Sequence, residues 1–274
     1  MKWGIVGKPN VNHIYQEMVE VLDQLKKRKQ TVVLEERFAQ LLNVPGKKLP
    51  DISADIIVTV GGDGTILMAL EHTDKPILAV NAGGVGFLSE VEPKYLGSAI
   101  DRVLRKDFTL EERPRLAAWL EKERLPDAAN EVTVQTAKIA KLIKYQVRVN
   151  GEVMDTLRGD GVIVATATGS TGYSLSVGGP ILHPAVQGMV ISPIAPFRLA
   201  ARPIVIPFDS EVTVGLVSGA SDRTDKVARA VVDGQHGYAM NAGMSVTIRP
   251  SKRKARFIRF DGGFYERVRT KLTR

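Results

Sequence analysis

The residues of this 274-residue chain that most plainly carry chemistry are Gly61-Gly62-Asp63-Gly64-Thr65. Three glycines let a backbone turn steeply and approach a ligand without interference from Cβ atoms. They lie between an apolar run, residues 55–60, and a helical stretch starting near Ile66. The free N–H groups and positive dipole end of such a helix suit phosphate. Asp63 is the odd member, because a carboxylate repels a phosphate anion. Two jobs resolve the conflict: binding Mg²⁺, or accepting the proton of a hydroxyl that attacks phosphorus. The structural alternative is a tight turn with Asp63 as its N-cap. No GxxxxGK[ST] element occurs, so phosphate binding rests on Gly62, Gly64, Thr65 and the helix that follows.

Other polar segments have looser readings. Asn81 both donates and accepts hydrogen bonds, so it can read a ribose hydroxyl or orient Asp63. Phe87 offers a flat apolar face to a base, and equally suits a core. Asn130 and Glu131 sit in the polar stretch PDAANEVTV, which also reads as a turn or cap. The run Thr168-Gly169-Ser170-Thr171-Gly172-Tyr173-Ser174 combines hydroxyls, glycines and an aromatic ring, a set able to contact a base or ribose closely. Asp160 stands just before the apolar run VIVATA, where an acid is costly unless paired or ligand-bound. Arg158 is a partner for pyrophosphate or an exposed charge at a strand end.

These residues need elements to hold them. Residues 3–6 read as a strand, 11–28 as a helix with Ile14, Met18, Val21, Leu22 and Leu25 at helical spacing, and 31–34 as a second strand. The nearly continuous apolar run 55–60 describes a strand buried on both faces, hence a parallel sheet covered by helices. A helix at 66–72, a strand at 77–80 and a helix at 93–106 continue the alternation of an open α/β sheet. After residue 107 the texture changes to short β-branched runs divided by Gly, Pro, Asn and Asp, the pattern of a mostly antiparallel β domain. The organisation predicted is an α/β domain over 1–106 carrying the glycine loop, a β-rich domain over 107–250, and a C-terminal segment, 251–274, returning to the first domain.

Composition narrows the classes. Lys and Arg number 38 against 30 Asp and Glu, a formal net charge of +8. The basic residues recur in LDQLKKRKQ, DRVLRKD and SKRKARFIRF rather than in one tail, which points to a solvated surface attracting small polyanions instead of a nucleic-acid partner. Without cysteine there is no disulfide, thiol nucleophile or thiolate metal site. His13, His72, His183 and His236 have no close metal-ligand spacing, and no protein-held metal site is assigned. No apolar run approaches the length of a membrane helix. With no secretory signal in MKWGIVGKPN, a soluble cytoplasmic protein is expected.

Taken together, the segments resemble the NAD kinase family, within the wider group that includes diacylglycerol kinases. Gly61 to Thr65 matches the shared GGDGT signature, and Asn81-Ala82-Gly83-Gly84-Val85-Gly86-Phe87-Leu88 resembles the asparagine-to-GFL loop of NAD kinases. Asn130-Glu131, Gly159-Asp160-Gly161, Thr168 to Ser174, Gly178-Gly179-Pro180, Ser192 to Pro196 and Asp233-Gly234-Gln235 are similar to further segments of that family. The resemblance runs from about residue 3 to 262. It implies a Rossmann-like N-terminal domain, a C-terminal antiparallel β-sandwich and an active site in the cleft between them. It also implies phosphorylation of the adenosine 2′-hydroxyl of NAD with ATP or polyphosphate as donor, Mg²⁺ or another divalent cation, and a homo-oligomer, dimer or tetramer. Asp63 becomes the catalytic base. Asn130, Glu131, Thr168, Thr171, Gly172 and Tyr173 become the NAD pocket, and Asp160 a contact to the nicotinamide half.

The chain departs from the family pattern at Gly84 (often Arg or His), Gly172 (usually Ala) and Phe197-Arg198 (usually His-Ser). These positions bear on donor and acceptor preference, not on the base. The rival readings are a diacylglycerol-type lipid kinase, in which the segments around Asn81, Asn130 and Thr168 lack a role, and a non-catalytic basic nucleotide- or nucleic-acid-binding regulator.

Overall fold

The structure, a computed structural model, describes residues 1–9, 12–83, 86–217, 226–260 and 263–272. Gly84 and Val85, both in the predicted asparagine loop, lie outside the described residues. The chain divides into two units, residues 1–112 with 255–274, and residues 113–254.

In the first unit, β1 (Lys2–Gly7), β2 (Thr31–Leu34), β3 (Ile56–Gly61), β4 (Ile77–Asn81) and the end of the last strand form a sheet in the order β2-β1-β3-β4-β16. Every neighbouring pair is parallel. Helices α1 (Asn12–Lys27), α2 (Glu36–Leu41), α3 (Asp63–His72) and α4 (Leu96–Leu104) connect the strands. All six residues of β3 are buried, as a strand covered on both faces requires. Trp3, Met18, Leu25, Phe38, Val58, Val80 and Ile100 share one core, each large side chain contributing on the order of 1.5–3 kcal/mol by leaving water. Pairing of Gly7 with Val60 and of Gly61 with Asn81 brings the C-terminal ends of β1, β3 and β4 level. That is the edge where parallel α/β sheets bind ligands.

Three boundaries differ from the sequence expectation. Helix α3 starts at Asp63, not near Ile66, with Gly62 as N-cap and no side-chain cap. Asp63 is therefore not the cap, and its carboxylate has another use. Helix α2 was not expected; it is short, and the buried Glu35 starts it by accepting the Arg37 N–H at 3.2 Å. The expected helix over 93–106 divides into a 3-10 turn, Pro93–Tyr95, and α4.

The second unit contains most of β5 (Thr109–Leu120), then β6 (Glu123–Arg124), β7 (Glu131–Thr136), β8 (Ile143–Val149), β9 (Glu152–Gly159), β10 (Gly161–Thr166), the short helix α5 (Tyr173–Ser176), β11 (Gly188–Ile194), β12 (Ile204–Pro207), β13 (Val212–Leu216), β14 (Lys226–Val232), β15 (His236–Asn241) and most of β16 (Ser245–Arg259). One antiparallel sheet runs β12-β11-β10-β7-β14-β15. The other runs β16-β13-β8-β9, with β5 beside β16. Inward residues of both, among them Val132, Val134, Tyr145, Val147, Val162, Val164, Val214 and Ile248, form one core. The alternating burial along β13 is the period of two that a sandwich demands. Tyr145 is fully buried, and its hydroxyl donates to the Gly161 carbonyl at 2.7 Å. Strand β10 is buried throughout because Ile163 and Ala165 pack into a second small cluster with Val190, Val177 and Leu182.

Strand β16 leaves this unit at Lys254 and enters the first at Ala255. The final helix, α6 (Phe264–Lys271), follows there.

Candidate active site

In the first unit the site is built on the turn between β3 and α3. Gly61 has φ +148°, and a Cβ there would fall 2.5 Å from Thr65 Oγ1, so only glycine fits. Thr65 is buried against that turn and donates its N–H to the Gly62 carbonyl at 3.0 Å. Its side chain supports the loop, while at Gly64 the space a Cβ would occupy is open. Asp63, partly exposed in the first turn of α3, turns its carboxylate to the loop after β4. Its Oδ2 accepts the Phe87 N–H at 2.9 Å and its Oδ1 accepts the Leu88 N–H at 3.1 Å.

That loop is itself held on several sides. Asn81 Oδ1 accepts the Gly83 N–H at 3.3 Å. The Asn81 amide also lies 2.9 Å from where a Cβ on Gly86 would sit, and Gly86 has φ +56°. Asn81 thus shapes the loop that orients Asp63. Phe87 is 5% exposed and meets the Phe264 ring of α6 edge-on at 5.9 Å. The core reading of its ring is the one realised; the flat face expected for a base is spent inside the protein, and what Phe87 offers the site is its N–H. Arg259 Nη1 donates to the Leu88 carbonyl and to Glu90, each at 2.9 Å, and its Nε to Glu111 at 2.7 Å. Lys271 donates to the Gly86 carbonyl. Burial pushes the Lys271 ammonium below the usual lysine range, and Asp63 opposes that.

In the second unit a different cluster forms around residues 129–131 and 166–172. The Thr166 N–H donates to the Asn130 carbonyl at 2.8 Å, and its Oγ1 donates to the Ala129 carbonyl at 2.7 Å. Gly169 lies so close that a Cβ would fall 2.2 Å from the Asn130 oxygen. A Cβ on Gly172 would sit 3.3 Å from Glu131 Oε2 and 3.6 Å from Asn130 Nδ2. Gly172, Asn130 and Glu131 are thus brought together, and Thr168 directly precedes Gly169. Thr171 borders them, its hydroxyl donating to the Thr168 carbonyl at 3.1 Å, and Tyr173 is exposed at the start of α5. Asn130 Oδ1, Glu131 Oε2 and Thr168 Oγ1 are buried and have no partner. Buried polar atoms are normally satisfied, so these three, on neighbouring stretches of chain, are candidates to meet a ligand's polar edge.

Burial raises the Glu131 carboxyl to about 8, with Asp233 adding to the shift. Burial also raises Asp233, but the N–H groups of Ala129, Asn130 and Glu131 and the charge of Arg115 oppose it. No donor opposes the shift in Glu131, so of this pair Glu131 is the one that holds a proton at neutral pH. In the sequence Asp233 stands out only as part of Asp233-Gly234-Gln235, a segment similar to one of the family's. Its contacts are backbone groups 102 to 104 residues away; the one local signal was an acid directly after the apolar run AVV.

Arg158 and Asp160 are not with this cluster. In the β7–β10 pair, Ala165 faces Glu131 while Gly161 faces Gln135, which separates the two ends by four residues, ~13 Å. Arg158 is exposed and borders an open cavity of about 600 Å³ with Lys141 and Lys144.

Among the described residues no group of three His, Asp or Glu side chains could hold a metal ion, and no helix is long and apolar enough to cross a membrane.

Residues 3–108 match the family described as the ATP-NAD kinase N-terminal domain, and residues 129–260 the ATP-NAD kinase C-terminal domain. The NAD kinase of Methanothermobacter thermautotrophicus is 39% identical over 99% of this chain and 96% of its own length. That of Thermoplasma volcanium is 40% identical over 85% of this chain and 84% of its own. An NAD kinase from Archaeoglobus fulgidus, solved in complex with ATP, superposes with a TM-score of 0.78 at 29% identity, covering all of this chain and 98% of that one. Yeast NADH kinase complexed with NADH shares the fold, with a TM-score of 0.93 at 24% identity over all of this chain and 87% of that one. The match at both the glycine-loop unit and the β-sandwich unit makes this chain a member of the NAD kinase family.

Proposed function

We propose that the protein transfers the terminal phosphoryl group of ATP to the 2′-hydroxyl of the adenosine ribose of NAD, giving NADP. The observation that carries this reading is the group of three unpartnered buried atoms, Asn130 Oδ1, Glu131 Oε2 and Thr168 Oγ1. They offer acceptors to ribose hydroxyls or to an adenine amino group, a set that an apolar lipid acceptor would leave unsatisfied. The ATP complex of the Archaeoglobus relative supports ATP as donor; inorganic polyphosphate is the alternative donor.

In this reading Asp63 accepts the proton of the 2′-hydroxyl as O2′ forms its bond to the terminal phosphorus, the bond to the bridging oxygen breaks, and ADP leaves. Two of the roughly four lone-pair sites of the Asp63 carboxylate are taken by N–H groups, and the others are open to that proton. Exposed N–H groups at the start of α3 hold the donor phosphates, and most of the acceleration comes from positioning and electrostatics. In this reading the divalent cation comes with the donor, as the counter-ion of its phosphates. We place the enzyme in the cytoplasm as a homo-oligomer, dimer or tetramer.

One experiment tests the reading: incubation with NAD, Mg²⁺ and either ATP or polyphosphate, with NADP read by an NADP-specific dehydrogenase and the phosphate position by ³¹P NMR. Formation of 2′-phosphorylated NAD with ATP supports it. Transfer to diacylglycerol with none to NAD overturns it.

A further inference from the structure

Asp233 stands in the turn after β14 with φ +48° and is 8% exposed. Its Oδ2 accepts the Ala129 N–H at 2.7 Å, and its Oδ1 accepts those of Asn130 at 2.8 Å and Glu131 at 3.0 Å. The N–H of Asp233 returns a bond to the Glu131 carbonyl at 3.0 Å. One carboxylate thus gathers three consecutive peptide N–H groups, the kind of charge-assisted contact that is roughly twice as strong as a neutral one. On the other side Thr166 takes the carbonyls of Ala129 and Asn130. Behind lies Arg115, fully buried, whose Nη2 donates to the Asp127 carbonyl at 2.7 Å and whose charge acts on Asp233.

The backbone of residues 129–131 is therefore fixed by N–H and C=O together, at the place where Asn130 and Glu131 keep buried, unpartnered side-chain oxygens. Unpartnered polar atoms gain by turning toward any donor or water within reach. A backbone free to rotate would let them do so and would lose the pocket.

We propose that Asp233 is a positioning residue for NAD. Its carboxylate locks the three peptide groups so that Asn130 and Glu131 present their oxygens in the bound geometry before the ligand arrives, which removes an ordering cost from binding. It acts through those two residues and touches neither NAD nor the reacting atoms. The proposal rests on the NAD reading of Asn130 and Glu131 given above.

The test uses the full-length protein with Asp233→Asn, whose amide N–H₂ confronts a backbone N–H where an oxygen stood. The KM for NAD is expected to rise about ten-fold, the scale of a lost charged hydrogen bond, with kcat and the KM for ATP within about two-fold of the parent. In a Glu131→Gln background the same substitution should cost clearly less, because coupled residues are not additive. Full additivity in that cycle, or an unchanged KM for NAD in Asp233→Asn, overturns the positioning role while leaving a raised KM in Glu131→Ala to support the NAD pocket. An unchanged KM in Glu131→Ala overturns the pocket and the proposal with it. If Asp233→Asn lacks a cooperative melt, Asp233→Ser, which keeps one acceptor, is expected to fold with an intermediate KM. Failure of both to fold overturns the proposal in favour of a purely structural role.

Discussion

Leu88 gives its peptide N–H to Asp63 and its carbonyl to Arg259, so a single residue links the candidate base to a buried arginine. With the Phe87 N–H on the other oxygen, the Asp63 carboxylate is fixed in orientation by groups 24 and 25 residues away. That is preorganisation of the kind a proton acceptor needs, because its open lone pairs stay aimed while the N–H groups hold it.

Asp63→Asn should lower kcat by about 10²-fold or more, the range of a lost general base, while NAD still binds. One oxygen is replaced by a donor facing a backbone N–H, so the variant's thermal melt is recorded alongside. A folded Asp63→Asn protein that makes NADP at near-parental rate would remove Asp63 from the chemistry.

Arg259 is the second prediction. Its side chain is 9% exposed and that of Glu90 4% exposed, and they pair at 2.9 Å, with Arg267 reaching Glu90 only at 3.7 Å. Arg259→Leu removes the main partner of a buried carboxylate, which costs on the order of 3–5 kcal/mol, and it frees the Leu88 carbonyl. A lower urea midpoint and a reduced kcat are expected together. Arg259→Lys, which keeps the charge but not the planar fork, should fall between. Parental midpoint and turnover in Arg259→Leu would show that the link through Leu88 carries nothing.

The positive charge should serve phosphorylated small molecules. Many basic residues have an acid beside them: Arg28 with Asp101 at 2.6 Å, Lys94 with Glu92 at 2.9 Å, Arg102 with Asp107 at 2.8 Å, Arg198 with Asp155 at 2.7 Å and Arg256 with Glu112 at 2.9 Å. Local pairing breaks up the continuous positive surface that a phosphate backbone needs. Titration of labelled DNA and RNA at about 150 mM salt, a screening length of ~8 Å, should show no sub-micromolar binding. Sub-micromolar binding that competes with NAD would revive the regulator reading.

The parts of the fold that sequence made legible are those with a period or a breaker. The apolar run before Gly61 and the β-branched runs after residue 107 announce a parallel sheet and then an antiparallel one. The start of α3 was missed because three glycines mask a helix whose first residue, Asp63, is favoured there by the helix dipole. Phe87 was ambiguous because local pattern does not tell whether a ring faces a ligand or another ring, here Phe264. Arg158 and Asp160, expected at the pyrophosphate and at the nicotinamide half of NAD, stand at the other end of β10 from the cluster around Asn130 and Glu131, a separation that a strand's length sets and that residue type does not announce. The anchors of the two clusters, Arg259 and Asp233, work on backbone groups, and a peptide N–H or carbonyl leaves no residue type to read.

The last prediction concerns pH and Glu131. Burial and Asp233 raise its carboxyl to about 8, far above the roughly 4.3 of an unfolded chain. The native state therefore holds one more proton than the unfolded state between about pH 4.5 and 8, and stability must fall as pH rises through that window. Glu131→Gln, neutral at every pH, removes this contribution. Its thermal midpoint relative to the parent should climb from pH 5 to 8 and level off above. Binding runs the other way. In the proposed NAD pocket, ribose hydroxyls or an adenine amino group would donate to Glu131 and favour its charged form, so NAD should lower the carboxyl below about 8. NAD affinity should then rise with pH up to that value, and binding at pH 7 should release a proton. Calorimetry at pH 7 in two buffers of different ionisation enthalpy reads that release directly. Proton uptake, or an identical release in the Glu131→Gln protein, would show that the ligand does not accept Glu131 as its partner.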